Sequence, residues 1–337
     1  MLSEVNTSLL PYNTFGFDVQ ATELIKIENK EQLVNLYENG FFKSPFRVIS
    51  GGSNLLLTQN IQEPILLIRI PGIAQKEETD SYVFIEFGAG ENWHASVLHC
   101  VKNQFFGIEN MSLIPGCIGA APIQNIGAYG TELKDVFHSL SAYNIQTGKF
   151  ENFDLQQCQF GYRDSFFKQQ GKGKYIITSV TLKLSKIAKI NTQYGDIQNT
   201  LIQKNITNPT IKDVSDAVIE IRKSKLPDPA ILGNSGSFFK NPVIEKSLAE
   251  KIQANHPDLK IFPVSDEWVK IPAAWLIEKS GWKGHKRSHV GVHEKQALVL
   301  VHYGGGKGSE IQQLATEIQT DVANKFNVHL EFEVNIW

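Results

Sequence analysis

IPGCIGAAPIQNIGAYG, at residues 114–130, is the most unusual segment of the chain. It contains four glycines, two prolines and three alanines, and it carries no charged side chain. Surface loops are ordinarily polar, whereas this one is small, apolar and rich in backbone that a ligand can approach. Such a surface suits a flat, partly anionic cofactor, because backbone N–H groups can bind a pyrophosphate while apolar groups face a ring system. A buried glycine-rich crossing between two lobes would explain the same residues.

The composition around this segment is that of an ordinary globular enzyme. The 337 residues are enough for two or three lobes, and 42% are hydrophobic and 20% charged. A formal net charge of −2 leaves no basic surplus, so the sequence predicts no nucleic-acid partner. The cysteines form no C-x-x-C pair, which favours small buried hydrophobic side chains in a reducing compartment over disulfides. They are Cys100, Cys117 and Cys158.

No targeting or membrane segment is evident in the sequence. The N-terminal MLSEVNTSLLPYN lacks a basic flank and a long apolar run, so it does not resemble a signal peptide. The most apolar run, ILLIRI at 65–70, is interrupted by Arg69 and is too short to span a membrane. We therefore expect a soluble cytoplasmic protein with no membrane partner.

The hydrophobic pattern predicts an α+β fold rather than the regular alternation of a doubly wound sheet. A helix is expected after Thr210, where apolar residues recur at helical spacing, and it must end before Pro227. Another helix is predicted to open with the capping box Ser309-x-x-Gln312. Polar residues suggest a lobe boundary near 190–210. Further helices are predicted at 30–40, 92–104 and 271–281, and strands at 46–50, 65–70, 82–87, 175–184, 297–302 and 328–336.

Three segments resemble the sequence patterns of well-known binding sites but do not match them. YGGGKGS at 303–309 does not match G-x-x-x-x-G-K-[ST], so it predicts a flexible turn rather than a P-loop. GAGENW at 88–93 has Trp93 where a dinucleotide-binding fingerprint needs its third glycine. Three histidines four residues apart lie in a glycine-rich segment without paired cysteines, so no metal site is predicted there. They are His285, His289 and His293.

Two further stretches offer groups that bind anions. ISGGSNLLL at 49–57 leaves a strand through two glycines and then offers a serine and an asparagine, which could form a phosphate nest or an ordinary turn. FGYRDSFFK at 160–168 sets Arg163 between aromatic residues. A half-buried guanidinium there could hold a carboxylate at two points, although a surface turn would also explain it.

Three other charged residues have equally simple explanations. Arg222 and Lys225 share one face of a predicted helix, where a solvated basic face is as good a reading as a binding site. Glu333 lies on the last predicted strand, and its position alone indicates a solvent-facing residue.

Taken in order, these motifs resemble one family, the UDP-N-acetylenolpyruvoylglucosamine reductases, over essentially the whole chain. Members are flavoproteins that make UDP-N-acetylmuramate for bacterial peptidoglycan. The tyrosine in QYGD is similar to the type I form, which has an extra substrate-covering element, while Phe332 stands where that form usually has proline. The motifs are TFG (14–16), GGSN (51–54), GAGENWH (88–94), ENMSLIPGCIGAAPIQNIGAYG (109–130), FGYRDSFFK (160–168), QYGD (193–196), KLPDP (225–229), GNSGSFFKNP (233–242), KQALVLV (295–301) and LEFEV (330–334).

The resemblance implies a fold and a bound cofactor, FAD. The fold is an FAD-binding part of the vanillyl-alcohol-oxidase (PCMH) type in two subdomains, followed by an α+β substrate-binding domain. The implied boundaries are 1–70 with the terminal strand 328–337, then 71–190, then 210–327. The implied FAD contacts are Gly51, Gly52, Ser53, Asn54, Pro115, Gly116, Gly119, Ala120, Gln124, Asn125, Gly127, Ala128 and Tyr129.

The resemblance also implies a reaction with two halves at one site. NADPH reduces FAD, and flavin N5 then passes a hydride to C3 of UDP-N-acetylglucosamine enolpyruvate. Arg163 would bind the substrate carboxylate, Ser237 would give a proton to C2, and Glu333 would act through a proton near the enolate. Contacts to the UDP-sugar would come from Tyr194, Lys225, Asn241 and Gln296.

Two other functions fit parts of the sequence. One is a flavin oxidase of the same fold acting on a small alcohol, which would need neither Ser237 nor a diphosphate site. The other is a nucleotide-sugar sensor without chemistry, which the joint presence of Arg163, Ser237 and Glu333 disfavours. The family resemblance also leads us to expect a monomer.

Overall fold

The computed structural model describes residues 3–337 and divides into two compact units. The first unit contains residues 3–7, 21–52 and 62–224, and the second contains residues 8–20, 53–61 and 225–337. The sequence-based division into two FAD subdomains and a substrate domain stays a prediction.

Seven α-helices lie within residues 3–337. They are α1 (Lys30–Glu38), α2 (Trp93–Lys102), α3 (Gly195–Gln203), α4 (Ile211–Lys225), α5 (Lys246–Asn255), α6 (Ala273–Lys279) and α7 (Gly308–Phe326). Across these same residues, no helix is long and apolar enough to cross a membrane.

Nineteen strands are formed by the same described residues. They are β1 (Ser3–Ser8), β2 (Gln20–Ile27), β3 (Arg47–Ile49), β4 (Leu55–Leu56), β5 (Ile65–Ile68), β6 (Ile73–Glu78), β7 (Tyr82–Gly88), β8 (Gly127–Ala128), β9 (Thr131–Glu132), β10 (Phe137–Asn144), β11 (Lys149–Asp154), β12 (Tyr175–Ser185), β13 (Gly233–Ser237), β14 (Val243–Glu245), β15 (Phe262–Pro263), β16 (Trp268–Lys270), β17 (Val290–Val292), β18 (Val299–His302) and β19 (Asn335–Ile336).

Two sheets form the framework of the first unit. The four-stranded sheet has the order β1-β2-β5-β3, and β5 pairs in parallel with both β2 and β3. All four residues of β5 are buried, as expected for a continuous apolar run in a parallel sheet. The five-stranded antiparallel sheet has the order β11-β10-β12-β7-β6. Trp93 and Val97 of α2 pack into its core beside Phe87.

The second unit is built from smaller sheets and the long helix α7. Its three-stranded sheets have the orders β13-β18-β17 and β14-β16-β15, and β19 pairs in parallel with β4. Ile311, Leu314 and Ile318 of α7 are buried at helical spacing, which explains why this helix forms.

The predicted terminal strand over 328–336 is wrong in its extent. Regular pairing is confined to β19, with one isolated bridge at Phe332. Burial alternates as the sequence indicates, since Val328, Leu330 and Val334 are buried. Alternating burial does not itself supply a neighbouring strand, so most of the segment forms no ladder.

The predicted capping box Ser309-x-x-Gln312 is also wrong. The N-cap of α7 is Lys307, two residues before Ser309. The carboxylate of Glu310 accepts the Lys307 backbone N–H at 2.9 Å, and this contact sets the start of the helix. Gly308, the first helical residue, can approach neighbouring backbone closely because it has no Cβ.

Candidate active site

The segment 114–130 forms a short 3-10 helix, Ile118–Gln124, followed by the β8–β9 hairpin. It is neither fully buried nor fully exposed, because Ile118 is buried while Pro115 and Ala120 face outward. A wholly buried crossing is therefore the poorer of the two readings of this sequence.

The two glycine-rich stretches of the first unit meet at Gly51 and Gly116. A Cβ added at Gly51 would lie 2.8 Å from Gly116 Cα, closer than side chains tolerate. Arg69 donates from Nη1 to Ser50 O at 2.9 Å and lies 3.8 Å from Cys117 Sγ, so its guanidinium lies beside both stretches. In the sequence Arg69 only interrupts an apolar run, and no neighbouring residue indicates this position.

Ser50 supplies an unsatisfied polar atom beside the same glycines. Its Oγ is buried and has no hydrogen-bond partner within residues 3–337. Buried hydroxyls are ordinarily paired, so an unpaired one indicates a site for a ligand atom or water. The residues present thus fit a group that carries hydrogen-bonding oxygens close to glycine backbone.

We call Gly51, Gly52, Gly116 and Gly119 the glycine cradle. Gly52 and Gly119 also allow other groups to approach closely. Gly52 has φ +60°, and Gly119 donates its N–H to Ala89 O at 2.9 Å, where a Cβ would lie 2.6 Å from Ala89 Cβ. Glycine adopts the conformation of Gly52 at no steric cost, and only glycine leaves room for the contact at Gly119. The other predicted FAD contacts are half-buried or exposed: Ser53, Asn54, Gln124, Gly127, Ala128 and Tyr129 are half-buried, and Pro115 and Ala120 are exposed.

Four residues around this segment have left-handed backbone without being glycine. They are Leu113, Asn125, Tyr129 and Arg163, with φ of +60°, +43°, +49° and +53°. Such conformations are unfavourable for residues with a Cβ and gather at functional sites, where surrounding contacts hold them. Their concentration here supports a functional reading of segment 114–130.

Asn125 joins the loop to its neighbours through its side chain. Nδ2 donates to Glu132 Oε2 and to Gly161 O, each at 3.0 Å, and Oδ1 accepts the Lys134 N–H at 3.0 Å. Both amide hydrogens are thus used within the protein, and Asn125 is fully buried. This side chain holds the loop in place, so any FAD contact by Asn125 would have to come from its backbone.

Arg163 lies in a tight turn beside the same loop. Gly161 N–H donates to Asp164 O at 3.0 Å, which closes the turn. The Arg163 guanidinium donates from Nη2 to Gly127 O at 2.9 Å and lies 5.7 Å from the Tyr162 ring. These contacts fix its direction.

A second arginine lies near Arg163 in the first unit. Burial lowers the pKa of Arg222, and the positive charge of Arg163 lowers it further. The nearby Tyr129 instead raises the pKa of Arg222, and burial raises the pKa of Tyr129 itself. The solvated-face reading therefore fails for Arg222, which is half-buried, while Lys225 is exposed. The spacing of Arg222 and Lys225 along the helix does not by itself show which of the two side chains is buried.

The second unit brings Ser237 and Glu333 onto neighbouring segments. Ser237 ends β13 after a bulge at Ser235 and Gly236 in its pairing with β18. The residue after it, Phe238, accepts the Glu333 backbone N–H at 2.8 Å. Asn54 also donates from Nδ2 to Glu333 O at 3.1 Å, which fixes the terminal segment from another side.

Aromatic packing supports this pair of segments. Phe238 and Phe239 are fully buried, and the ring of Phe332 lies 5.4 Å and 5.6 Å from theirs. Phe332 thus packs against the two aromatic rings that follow Ser237 in the sequence.

The four predicted substrate contacts occupy different environments. Tyr194 is exposed at the N-cap of α3, with its ring 5.2 Å from Tyr129. Asn241 accepts the Ala273 N–H at 3.0 Å and so caps α6, while Gln296 Oε1 accepts the Leu298 N–H at 3.3 Å. Lys225 is the last residue of α4. Their roles toward a substrate stay predictions.

No group of metal-ligating side chains is assembled among residues 3–337. Of the three spaced histidines, His289 contacts Glu310 with Nδ1 3.2 Å from the carboxylate. All three cysteines are buried and free, as the sequence indicated, and burial raises the pKa values of Cys100 and Cys158 to about 12.

Comparisons with known proteins agree with this architecture. The chain matches the FAD binding domain family over residues 24–154 and the family of UDP-N-acetylenolpyruvoylglucosamine reductase, C-terminal domain, over residues 228–337. Among solved structures, the reductase of this name from Thermus caldophilus has a TM-score of 0.66 at 22% identity, covering 100% of this chain and 98% of that one. A 6-hydroxy-D-nicotine oxidase from Arthrobacter nicotinovorans has a TM-score of 0.52 at 12% identity, covering 97% and 86%. These likenesses confirm the predicted fold class.

Sequence relatives identify the family. UDP-N-acetylenolpyruvoylglucosamine reductases of Flavobacterium johnsoniae and Pseudomonas aeruginosa are 49% and 46% identical to this chain. Each alignment covers 98% of this chain, and 98% and 97% of the respective relative. At this identity over the full length, the chain belongs to the UDP-N-acetylenolpyruvoylglucosamine reductase family, the FAD-dependent oxidoreductases of peptidoglycan precursor synthesis.

Proposed function

We propose that this chain reduces UDP-N-acetylglucosamine enolpyruvate to UDP-N-acetylmuramate, with FAD as its bound cofactor and NADPH as the hydride donor. The observation that carries the proposal is the joining of the two reactive segments of the second unit, where Glu333 N–H donates to Phe238 O beside Ser237. An oxidase acting on a small alcohol has no need of a proton donor supported in this way.

FAD would be held by the glycine cradle of the first unit, and the family resemblance adds Ser53 and Asn54 as expected contacts. The close approach of Gly51 to Gly116 and the unpaired hydroxyl of Ser50 support a site for the pyrophosphate. Arg69 adds positive charge beside both stretches. When bound, FAD would supply, after reduction by NADPH, the hydride that flavin N5 gives to C3 of the enolpyruvyl ether.

Arg163 would bind the substrate carboxylate. Hydride addition at C3 moves negative charge to C2 and the attached carboxylate, and fixed positive charge at that point lowers the barrier. The contact of Arg163 with Gly127 O orients its planar guanidinium before substrate arrives. The nearby positive charge of Arg222 favours an anion further. A carboxylate facing an enolate would repel it, so Glu333 is expected to act through a proton.

Ser237 would transfer its hydroxyl proton to C2, where the C–H bond forms as the O–H bond breaks. Gly236, with φ +72°, allows the bulge that shapes this end of β13. The buried rings of Phe238 and Phe239 help to exclude water, so the proton comes from a positioned group. Tyr194, Lys225, Asn241 and Gln296 would bind the UDP-sugar.

Ser237→Ala tests this assignment in separate half-reactions followed by flavin absorbance. Reduction by NADPH should be unchanged, whereas reoxidation by the enolpyruvyl sugar should slow by about 10²–10⁴-fold, the usual contribution of a general acid. Ser235→Ala is the matched control, because Ser235 lies two residues before Ser237 on the same strand and loses the same hydroxyl group. We expect it to reoxidise at nearly the wild-type rate.

Two results would contradict the proposal. Full-rate reoxidation in Ser237→Ala would remove the serine from the reaction. Rapid oxygen consumption with a small alcohol, and none of the predicted reduction of the enolpyruvyl sugar, would favour the oxidase instead. The cytoplasmic location and monomeric state expected from the sequence stay predictions that these measurements leave aside.

A further inference from the structure

The backbone at Leu113 is held in an unfavourable conformation just before the glycine cradle. Its φ of +60° is left-handed, which a leucine adopts only when its surroundings impose it. Two side chains form hydrogen bonds with the backbone of Leu113. Its N–H donates to His94 Nδ1 at 2.9 Å, and its carbonyl accepts from Arg222 Nε at 3.2 Å. The peptide groups on both sides of Leu113 are therefore fixed from α2 and from α4.

The first turn of α2 makes two more contacts to the same stretch. Trp93 donates from its ring Nε1 to Met111 O and from its backbone N–H to Gly116 O, each at 3.0 Å. The first two residues of α2 thus hold positions 111, 113 and 116. Gly116 is the residue whose Cα lies against Gly51, so these contacts position one residue of the glycine cradle. All of these residues belong to the first unit.

We propose that His94 is a positioning residue for the cofactor: through Leu113 it fixes the path of the chain that sets Gly116 against Gly51. The inference rests on the proposed role of this cradle in binding FAD. Trp93 and His94 of the GAGENWH motif thus have a structural role, although the motif does not match a dinucleotide-binding fingerprint.

The hydrogen bond from the Leu113 N–H requires that the His94 imidazole be unprotonated at Nδ1. An imidazolium carries hydrogen on both nitrogens and cannot accept the Leu113 N–H. The charged groups that face His94 are Arg222 and Lys223 of α4. Burial, and then these two cations, lower the pKa of His94, so the accepting form persists to a more acidic pH than an exposed histidine would allow. Acidification below about pH 6.5 should eventually protonate it and release Leu113.

His94→Asn and His94→Leu separate this role from simple packing. Asparagine places Oδ1 near the position of Nδ1 and does not titrate, whereas leucine has no acceptor. In His94→Leu, we expect amide exchange in the peptide that contains residues 111–118 to accelerate, and the Kd for FAD to rise by roughly tenfold, the effect of one lost hydrogen bond. His94→Asn should restore both values at pH 7.5.

The pH profile provides the second readout. FAD affinity of the wild-type full-length chain should weaken as the pH falls from 7 to 5, and that of His94→Asn should weaken much less. Exchange and FAD affinity that are identical in wild type and His94→Leu would overturn the inference. Faster exchange with an unchanged Kd would also overturn it, while leaving the proposed function intact. A wild-type chain that bound no FAD would overturn the proposed function as well.

Discussion

At the scale of single residues, backbone conformation distinguishes the candidate site better than side-chain chemistry does. Leu113, Asn125, Tyr129 and Arg163 are all left-handed, and none is a glycine. Their chemistry could be read from the sequence, but their conformations could not, because each is imposed by partners distant in the chain. Arg163, for example, is turned toward Gly127, 36 positions away in the sequence.

Gly51→Ala tests the contact between the two glycine stretches. The added Cβ would lie 2.8 Å from Gly116 Cα, and backbone cannot yield as a flexible side chain does. We expect the Kd for FAD to rise at least tenfold, and stability to fall by about 1–3 kcal/mol as in other overpacked sites. Fluorescence titration of the flavin and thermal unfolding measure the two effects.

Gly195→Ala is the control for that substitution. A Cβ at Gly195 would meet nothing within 4 Å, and the residue opens α3, where alanine is favourable. It should therefore leave FAD affinity unchanged. If Gly51→Ala bound FAD as tightly as Gly195→Ala does, the close contact would have no part in holding the cofactor.

At the scale of elements, regular helices and strands followed from the sequence, while irregular segments did not. α4 was predicted from its apolar spacing, and Val214, Val218 and Ile221 are buried as expected. The 3-10 helix Ile118–Gln124 was not predicted, because its composition indicates only that the chain turns. The terminal segment was predicted to be a strand because its apolar and polar residues alternate, yet most of it has no neighbouring strand.

Asn125→Gly tests whether side-chain contacts hold the irregular 114–130 element in place. Glycine keeps the left-handed backbone at no steric cost, so the change removes only the bonds to Glu132, Gly161 and Lys134. Because these groups are part-buried, we expect a loss of about 2–4 kcal/mol, measured by urea unfolding.

Asn327→Gly is the matched control for Asn125→Gly. Asn327 is also left-handed, with φ +54°, but it is exposed at the end of α7. Glycine is common at that position, so the change should alter stability by only a few tenths of a kcal/mol. Equal effects at the two sites would show that backbone freedom, and not the side chain of Asn125, determines the loss.

At the scale of the whole molecule, the order of motifs predicted the family, while the contacts between distant segments appeared only with the fold. GNSGSFFKNP and LEFEV each carry a candidate catalytic residue, and nothing in either motif shows that Phe238 O accepts the Glu333 N–H. The sequence does not single out Ser50 or Arg69, and it does not separate Arg222 from Lys225, for the same reason. Their positions depend on hydrogen bonds or burial created by chain that lies far away in sequence.

The half-buried His94 and the buried Glu109 of the first unit should give its stability opposite responses to pH. His94 has a lowered pKa, so its contribution is present above about pH 6.5 and is lost as the pH falls through its folded-state pKa. Glu109 is buried, and burial raises its pKa, so its contribution is present below its ordinary pKa and is lost as the pH rises. The two titrations thus limit stability from opposite sides.

Glu109→Gln isolates the second of these titrations. Glutamine keeps an oxygen for the Gly107 N–H, which donates to Glu109 Oε2 at 2.7 Å, but it carries no charge to bury. At pH 8 we expect the variant to gain about 1 kcal/mol, or about 2–4 °C in Tm, and at pH 4 to show no gain because the glutamate is then protonated too. Glu77→Gln on exposed β6 is the control and should give the same small change at both pH values. A Glu109→Gln gain that was equal at pH 4 and pH 8 would mean that packing, and not the buried charge, limits stability at this position.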